Sequence, residues 1–176
     1  RAKDEEAVAL RARAIEAEAL RAQAEARAAA LLVKRLSFLL YAGEADQYVG
    51  ALQGVIFEKL VSSLKYQGPF AHLVQAEALL CVRLICVRVS PVHLQALWPI
   101  ALAELKRVLA EPDKLPPSLV LAAFLLLDTM LTVLPDEFGY HAWMFVVPEQ
   151  GAVAWRGAGA EGPAAAESAE EEEEEE

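Results

Sequence analysis

Polar and apolar positions along this chain recur at helical rather than strand spacing. Residues 1–30 are rich in Ala, Glu and Arg, strong helix formers with no breaker among them. The pairs Arg13/Glu16, Glu18/Arg21 and Arg21/Glu25 sit three or four residues apart, where each opposite-charge pair adds roughly 0.2–0.5 kcal/mol. Large apolar residues are confined to Val8, Leu10, Ile15 and Leu20, too few for a strict heptad seam. A solvated helix projecting from a domain and a coiled-coil partner arm both fit this pattern. From Leu31 the same helix turns apolar through Leu31, Leu32, Val33, Leu36, Phe38, Leu39 and Leu40, and Gly43 is a natural stop.

The second predicted helix runs from about Asp46 to Lys65, with Tyr48, Leu52, Val55, Ile56, Leu60 and Leu64 on one stripe. Gly50 and Gly54 lie on or beside that stripe, which permits either a close helix contact or a weakened helix. Gly68-Pro69 breaks the pattern, and Pro69 is suited to the first helical position. The third helix then extends to about Val89 and is expected to bury Phe70, Leu73, Val74, Leu80, Leu84 and Val87. Ser90 is placed to cap the fourth helix, a contribution of about 1 kcal/mol, with Pro91 at its first position. Pro99 falls inside the apolar pattern Leu94, Leu97, Ile100, Leu102, Leu105, Leu109. A proline inside a helix costs about 3 kcal/mol, so a kink or break is expected at Trp98-Pro99.

A Pro-rich loop (111–117) precedes a fifth helix, Ser118 to Leu134, that is apolar nearly all round. Such a helix is either sandwiched between others or embedded in a membrane. It ends at Pro135 and contains Asp128, whereas a membrane span needs about 20 mostly apolar residues, so burial among helices is the expectation. Residues Tyr140 to Val147 are aromatic and β-branched and suit a short extended segment across the helices. Beyond Pro148, Gly, Ala and Glu replace the large apolar residues, and nothing there offsets the entropy of ordering. The expected architecture is all-α: antiparallel helical hairpins stacked in an α-solenoid-like (HEAT/armadillo-like) domain. Its divisions are a charged helical arm over 1–30, a helical domain over 31–149 and a disordered acidic tail over 150–176.

The net charge of −10 belongs to that tail. Nine of the 26 acids lie at or beyond Glu161, leaving 17 against 16 bases in the body. A near-neutral body carries no electrostatic footprint for nucleic acid. Cys81 and Cys86 are five residues apart and point in different directions on a helix, so they neither pair nor share a metal. Two unpaired thiols fit a reducing compartment. The chain begins at Arg1 and contains no Asn, and it reads as a fragment of a longer protein.

Catalytic and ligand motifs find no support. Gly157, Gly159 and Gly162 match dinucleotide-binding spacing but lack the strand-turn-helix frame the chemistry requires. His72, His93 and His141 have no metal-ligand spacing, and Ser62 and Ser63 have no partnering base. Glu104 and Asp128 are isolated carboxylates on helices. No catalytic residue, cofactor or metal is therefore expected. Trp98 and Trp143 either fill gaps at the helix break and the last crossing, or act as exposed anchors for a partner.

Three blocks taken together resemble the C-terminal region of the Dopey family: residues 32–48 (Leu-Val-Lys-Arg-Leu-Ser-Phe-Leu-Leu-Tyr-Ala-Gly-Glu-Ala-Asp-Gln-Tyr), 90–105 and 140–149. The second block holds Ser90, Pro91, Leu97, Trp98, Pro99, Glu104 and Leu105, and the third holds Trp143, Phe145 and Pro148. Asp128 sits where that family has a helix carrying a Leu-Asp pair. The resemblance implies a segment of a very large cytoplasmic scaffold, peripheral on Golgi, trans-Golgi network and endosomal membranes. It also implies protein partners, namely a scaffold related to Arf exchange factors and an aminophospholipid flippase, and a role in vesicular protein transport; the apolar helical surface suits self-association as well. It carries no catalytic residue. The peripheral membrane-binding helical module is the alternative. This chain departs from the family in its short loop after Leu105 and in its Gly, Ala and Glu composition beyond Glu149.

Overall fold

A computed structural model describes residues 2–145, and side chains within that span apart from those of residues 2–9, 52 and 53. The expectations for Val146, Val147, Pro148, the glycine motif and the 150–176 tail lie outside the described residues. The architecture is all-α, with no strand among the described residues.

Helix α1 runs unbroken from Ala2 to Ala42 over 41 residues, about 60 Å at 1.5 Å per residue. Residues 10–21 are exposed, and packing against the body takes hold at Ala26, Ala30, Val33 and Leu40. Gly43 does end the helix, its amide bonding the Leu39 carbonyl at 3.1 Å. Glycine suits this position through space rather than as a left-handed cap, because a Cβ at Gly43 would collide with the Tyr48 ring and the Gln47 side chain. The left-handed residue comes three positions later, at Asp46 with φ 59°.

Helix α2 (Val49–Ala51), a π-helical turn (Leu52–Ile56) and α3 (Phe57–Leu64) form the second helical stretch. The wider π turn shifts the register of the expected stripe. Val55, expected inside, is 66% exposed, while Phe57, Leu60 and Leu64 are buried. No atom approaches within 4 Å of a Cβ built on Gly50 or Gly54, so these glycines mark an irregular helix and not a close contact.

Helix α4 (Ala71–Arg88) is the centre of the molecule. Pro69 does not open it; Gly68, at φ 134°, and Pro69 lie in the turn before it. Its buried residues are Val74, Ala76, Ala78, Leu79, Cys81, Val82, Ile85 and Cys86. Of the six residues expected inside, only Val74 is fully buried, and Val87 is 55% exposed. The buried face is built by Leu79, Val82 and Ile85 together with Ala and Cys, small residues that let neighbouring helices approach closely, and it is rotated from the expected stripe.

Cross-links fix how α1 meets α4. Ala30 clusters with Val74, Lys34 reaches Glu77 at 4.0 Å, and the Arg88 guanidinium bonds the Gly43 carbonyl. Both numbers climb together, so the two helices run parallel, and α3, which connects them in the chain, packs on α4. Helix α5 (Trp98–Ala110) runs opposite to α4, since Arg107 near its end bonds Gln75 near the start of α4 at 3.4 Å. Helix α6 (Pro117–Val133) then packs on the far side of α4 from α1, with the Arg83 Nε donating to Thr129 Oγ1 at 2.7 Å. Alternate helices α1, α4 and α6 thus lie side by side in a helical-repeat-like arrangement, and one core unites them with α3 and α5.

The break near Trp98-Pro99 is present, but Pro99 lies in the first turn of α5 rather than inside a longer helix, and a 3-10 turn over Pro91–His93 precedes it. Helix α6 is not sandwiched as expected. Leu119, Ala122, Ala123, Leu126 and Met130 face the core, while Leu121, Phe124 and Leu131 are 60%, 52% and 52% exposed. The expected extended segment near 140–147 is helical where described: α7 (Pro135–Gly139) leads into a 3-10 turn over Ala142–Phe145. Successive i to i+3 bonds, His141 to Phe138 and Met144 to His141, carry the turn onward. The Phe138 and Phe145 rings, 5.6 Å apart, close it on the core.

Candidate interaction surface

The residues singled out from the sequence do not converge on one place. Leu97, Trp98 and Leu105 are core residues, at 2%, 6% and 0% exposure. The Trp98 ring lies 6.2 Å from that of His141, so it fills the junction between α5 and the C-terminal turns. Pro99 is exposed, and Glu104 forms an i, i+3 pair with Arg107 at 2.7 Å. Asp128 is exposed on the outer face of α6, and Trp143 is 71% exposed. Phe145 packs partly on the core, while Pro148 lies outside the described residues.

Ser90 does not cap the helix after it. Its hydroxyl donates to Asp46 Oδ2 at 2.5 Å and its amide to Asp46 Oδ1 at 2.7 Å. The Asp46 amide in turn donates to the Arg88 carbonyl at 3.1 Å. Together with the Arg88–Gly43 bond, these clasp the end of α1 to the end of α4. The two Ser90 bonds hold the Asp46 carboxyl below its ordinary value, the hydroxyl contributing most. Pro91 starts the turn that follows.

Neither thiol is available for chemistry. Cys81 and Cys86 are free and buried. Burial pushes the Cys81 thiol up to about 11 and the Cys86 thiol up to about 12, far from the thiolate that reacts or binds metal. Ser62 and Ser63 spend their hydroxyls on backbone carbonyls one turn back. Among the described residues, no group of three or more His, Cys, Asp or Glu side chains lies together. No described helix is long and apolar enough to cross a membrane.

The structure does leave apolar surface uncovered, and most of it was missed in the sequence. Phe38 and Tyr41 of α1 and Leu80, Leu84 and Val87 of α4 line an open groove of about 500 Å³, with Lys34, Ser37, Glu77 and Arg83 as its polar members. Leu80, Leu84 and Val87 have helical spacing, which reads as a core stripe. The competing signal was a second apolar stripe at helical spacing, Leu79, Val82 and Ile85-Cys86, on the other side of α4. The stripe Leu121, Phe124 and Leu131 on α6 is a second uncovered face.

Comparison with known proteins places the chain. A family model described as DOP1 C-terminal matches residues 9–159. The chain is 39% identical over 85 residues to Protein DOP1 homolog of Drosophila melanogaster, covering 48% of this chain and 3% of that protein. It is 32% identical over 139 residues to Protein pad-1 of Caenorhabditis elegans, covering 69% of this chain and 6% of the relative. Protein DOP1B of Mus musculus is 38% identical over 76 residues, covering 43% and 3%. The chain thus spans only a few per cent of the length of these relatives. No solved structure matches it. With the family model matched over most of its length, the chain belongs to the DOP1, or Dopey, family and corresponds to the C-terminal region of its members.

Proposed function

We propose that this chain is a non-catalytic interaction segment of a Dopey-like protein, supporting vesicular protein transport between endosomes and the trans-Golgi network. One observation carries the reading: large apolar side chains on α1, α4 and α6 point outward from a well-packed core. Uncovered apolar patches of this kind mark sites of association. The polar groups of the α1–α4 groove are engaged in structural contacts. Ser37 donates to the Val33 carbonyl, Lys34 faces Glu77, and Arg83 donates to Thr129. None of them is poised as a nucleophile or base. In this reading the host protein is cytoplasmic and peripheral on Golgi and endosomal membranes. Its partners are a scaffold related to Arf exchange factors, an aminophospholipid flippase complex, or a second copy.

The test is complementation. Cells lacking the family member are supplied with the full-length protein, intact or without the segment equivalent to residues 22–145. Return of an endosomal cargo to the trans-Golgi network is then scored. The intact protein restores transport and the shortened one does not; full restoration by the shortened protein contradicts the proposal.

Direct lipid contact is a second reading, favoured by the exposed Leu121, Phe124 and Leu131 of α6. Against it, α6 carries Asp128 on that side and no Lys or Arg, whereas interfacial helices hold bases on the polar face. Flotation of the chain with anionic vesicles decides between the two, and stable co-flotation would favour lipid.

A further inference from the structure

The groove between α1 and α4 has dimensions and charge that specify an occupant. Its α1 wall, from Lys34 to Tyr41, is about 10 Å long, and its α4 wall, from Glu77 to Val87, about 15 Å. That accommodates roughly three turns of helix. The floor is apolar and aromatic, and Phe38, Tyr41 and Val87 are 63%, 67% and 55% exposed. The trough is open along its length rather than closed over, and it offers few converging polar groups. This is the form that takes the apolar face of an amphipathic helix rather than a small molecule.

The charges refine the match. Lys34 and Glu77 lie 4.0 Å apart and offset each other. Arg83 commits its Nε to Thr129 Oγ1, and no carboxylate among the described residues lies within ion-pair distance of it. Its Nη edge is left for a carboxylate, the group a guanidinium grips through two parallel hydrogen bonds. We propose that this groove docks an amphipathic helix of a partner protein, with apolar side chains at i, i+3, i+4 and i+7 toward Phe38, Leu80 and Leu84, and an acidic residue on its flank facing Arg83. The proposal rests on the interaction reading above and names the surface and the chemistry of the partner.

The probe is a fluorescent, synthetic four-turn helical peptide with Leu at those four positions and Glu on its flanks. Two controls accompany it: one with Lys in place of Glu, and one with the Leu positions scrambled. Fluorescence anisotropy is read against the whole chain. The acidic peptide is expected to bind at least about tenfold more tightly than the Lys peptide. Arg83→Gln should erase that preference, and Leu84→Asp should abolish binding with the helical dichroism unchanged. Val87→Glu, at an exposed position, serves the same purpose if Leu84→Asp fails to fold. The proposal is overturned if the acidic peptide does not bind by about 100 µM, if the scrambled peptide binds equally, or if both groove variants bind like the parent. It is also overturned if the groove variants instead abolish a self-dimer seen in sedimentation or binding to phosphatidylserine vesicles. Such failures leave the interaction reading intact, because that reading is judged by transport in cells.

Discussion

Trp98 and Trp143 both belong to the blocks that carry the family resemblance, yet the structure gives them opposite environments, and the same substitution at each tests that assignment. Trp98 is 6% exposed and sits against His141 at the junction of α5 and the terminal turns. Trp98→Ala removes an indole from close-packed surroundings that relax only in part, so both the transfer free energy and a cavity contribute. Such truncations cost about 3–5 kcal/mol. For a domain of this size each kcal/mol lowers the midpoint by roughly 3 °C, which predicts a fall of roughly 10–15 °C. Trp143 is 71% exposed, and Trp143→Ala should stay within about 0.5 kcal/mol of the parent. Thermal and urea unfolding followed by dichroism at the helical band measure both, with an unchanged urea slope confirming that stability alone has moved. A loss below about 1 kcal/mol for Trp98→Ala, or equal losses for the two variants, would refute the packing described at this junction.

Two further outcomes follow from the titrating groups. The Asp46 carboxyl is held below its ordinary value by the Ser90 hydroxyl and amide, so its contribution to stability is present above its unfolded-state value and fades as pH falls through the folded one. Urea midpoints measured between about pH 5 and pH 2 should therefore fall more for the parent than for Asp46→Asn; identical pH profiles would contradict the clasp. Cys81 and Cys86, pushed up to about 11 and about 12 by burial, should resist maleimide at pH 8 in the folded chain and label promptly in urea. Rapid labelling of the native protein would show that α4 is not buried as described.

Much of the fold was legible from local signals. The apolar turn of α1 after Leu31, the stop at Gly43, the break near Pro99 and, to within one residue, the start of α6, expected at Ser118 and found at Pro117, all follow from spacing and from Gly and Pro. The failures share one physical origin, which is that neighbours distant in sequence decided the outcome. Ser90 before a proline reads locally as a helix cap, yet its hydroxyl meets an acid 44 positions away. Helix α4 is apolar on several sides, so spacing alone does not choose between the stripe Leu80, Leu84 and Val87 and the buried face of Leu79, Val82 and Ile85 with Ala76, Ala78, Cys81 and Cys86. Leu80 and Leu84 pack partly on the core and also line the groove, while Val87 is exposed. An all-round apolar helix implied covering on all sides, but α6 keeps Leu121, Phe124 and Leu131 uncovered. That surplus of apolar surface is what a segment with further binding partners would carry.

Phe38, Tyr41, Leu84 and Val87 share one groove only because α1 and α4 lie parallel and side by side. Spin labels at Tyr41 and Val87, compared with labels at Arg27 and Val87, measure that alignment by pulsed dipolar spectroscopy. Fourteen residues along α1 correspond to an axial shift of about 21 Å, so with axes about 9 Å apart the Tyr41–Val87 pair should be short and the Arg27–Val87 pair longer by roughly 14 Å. The opposite order, or two equal distances, would contradict the layering and remove the docking surface with it.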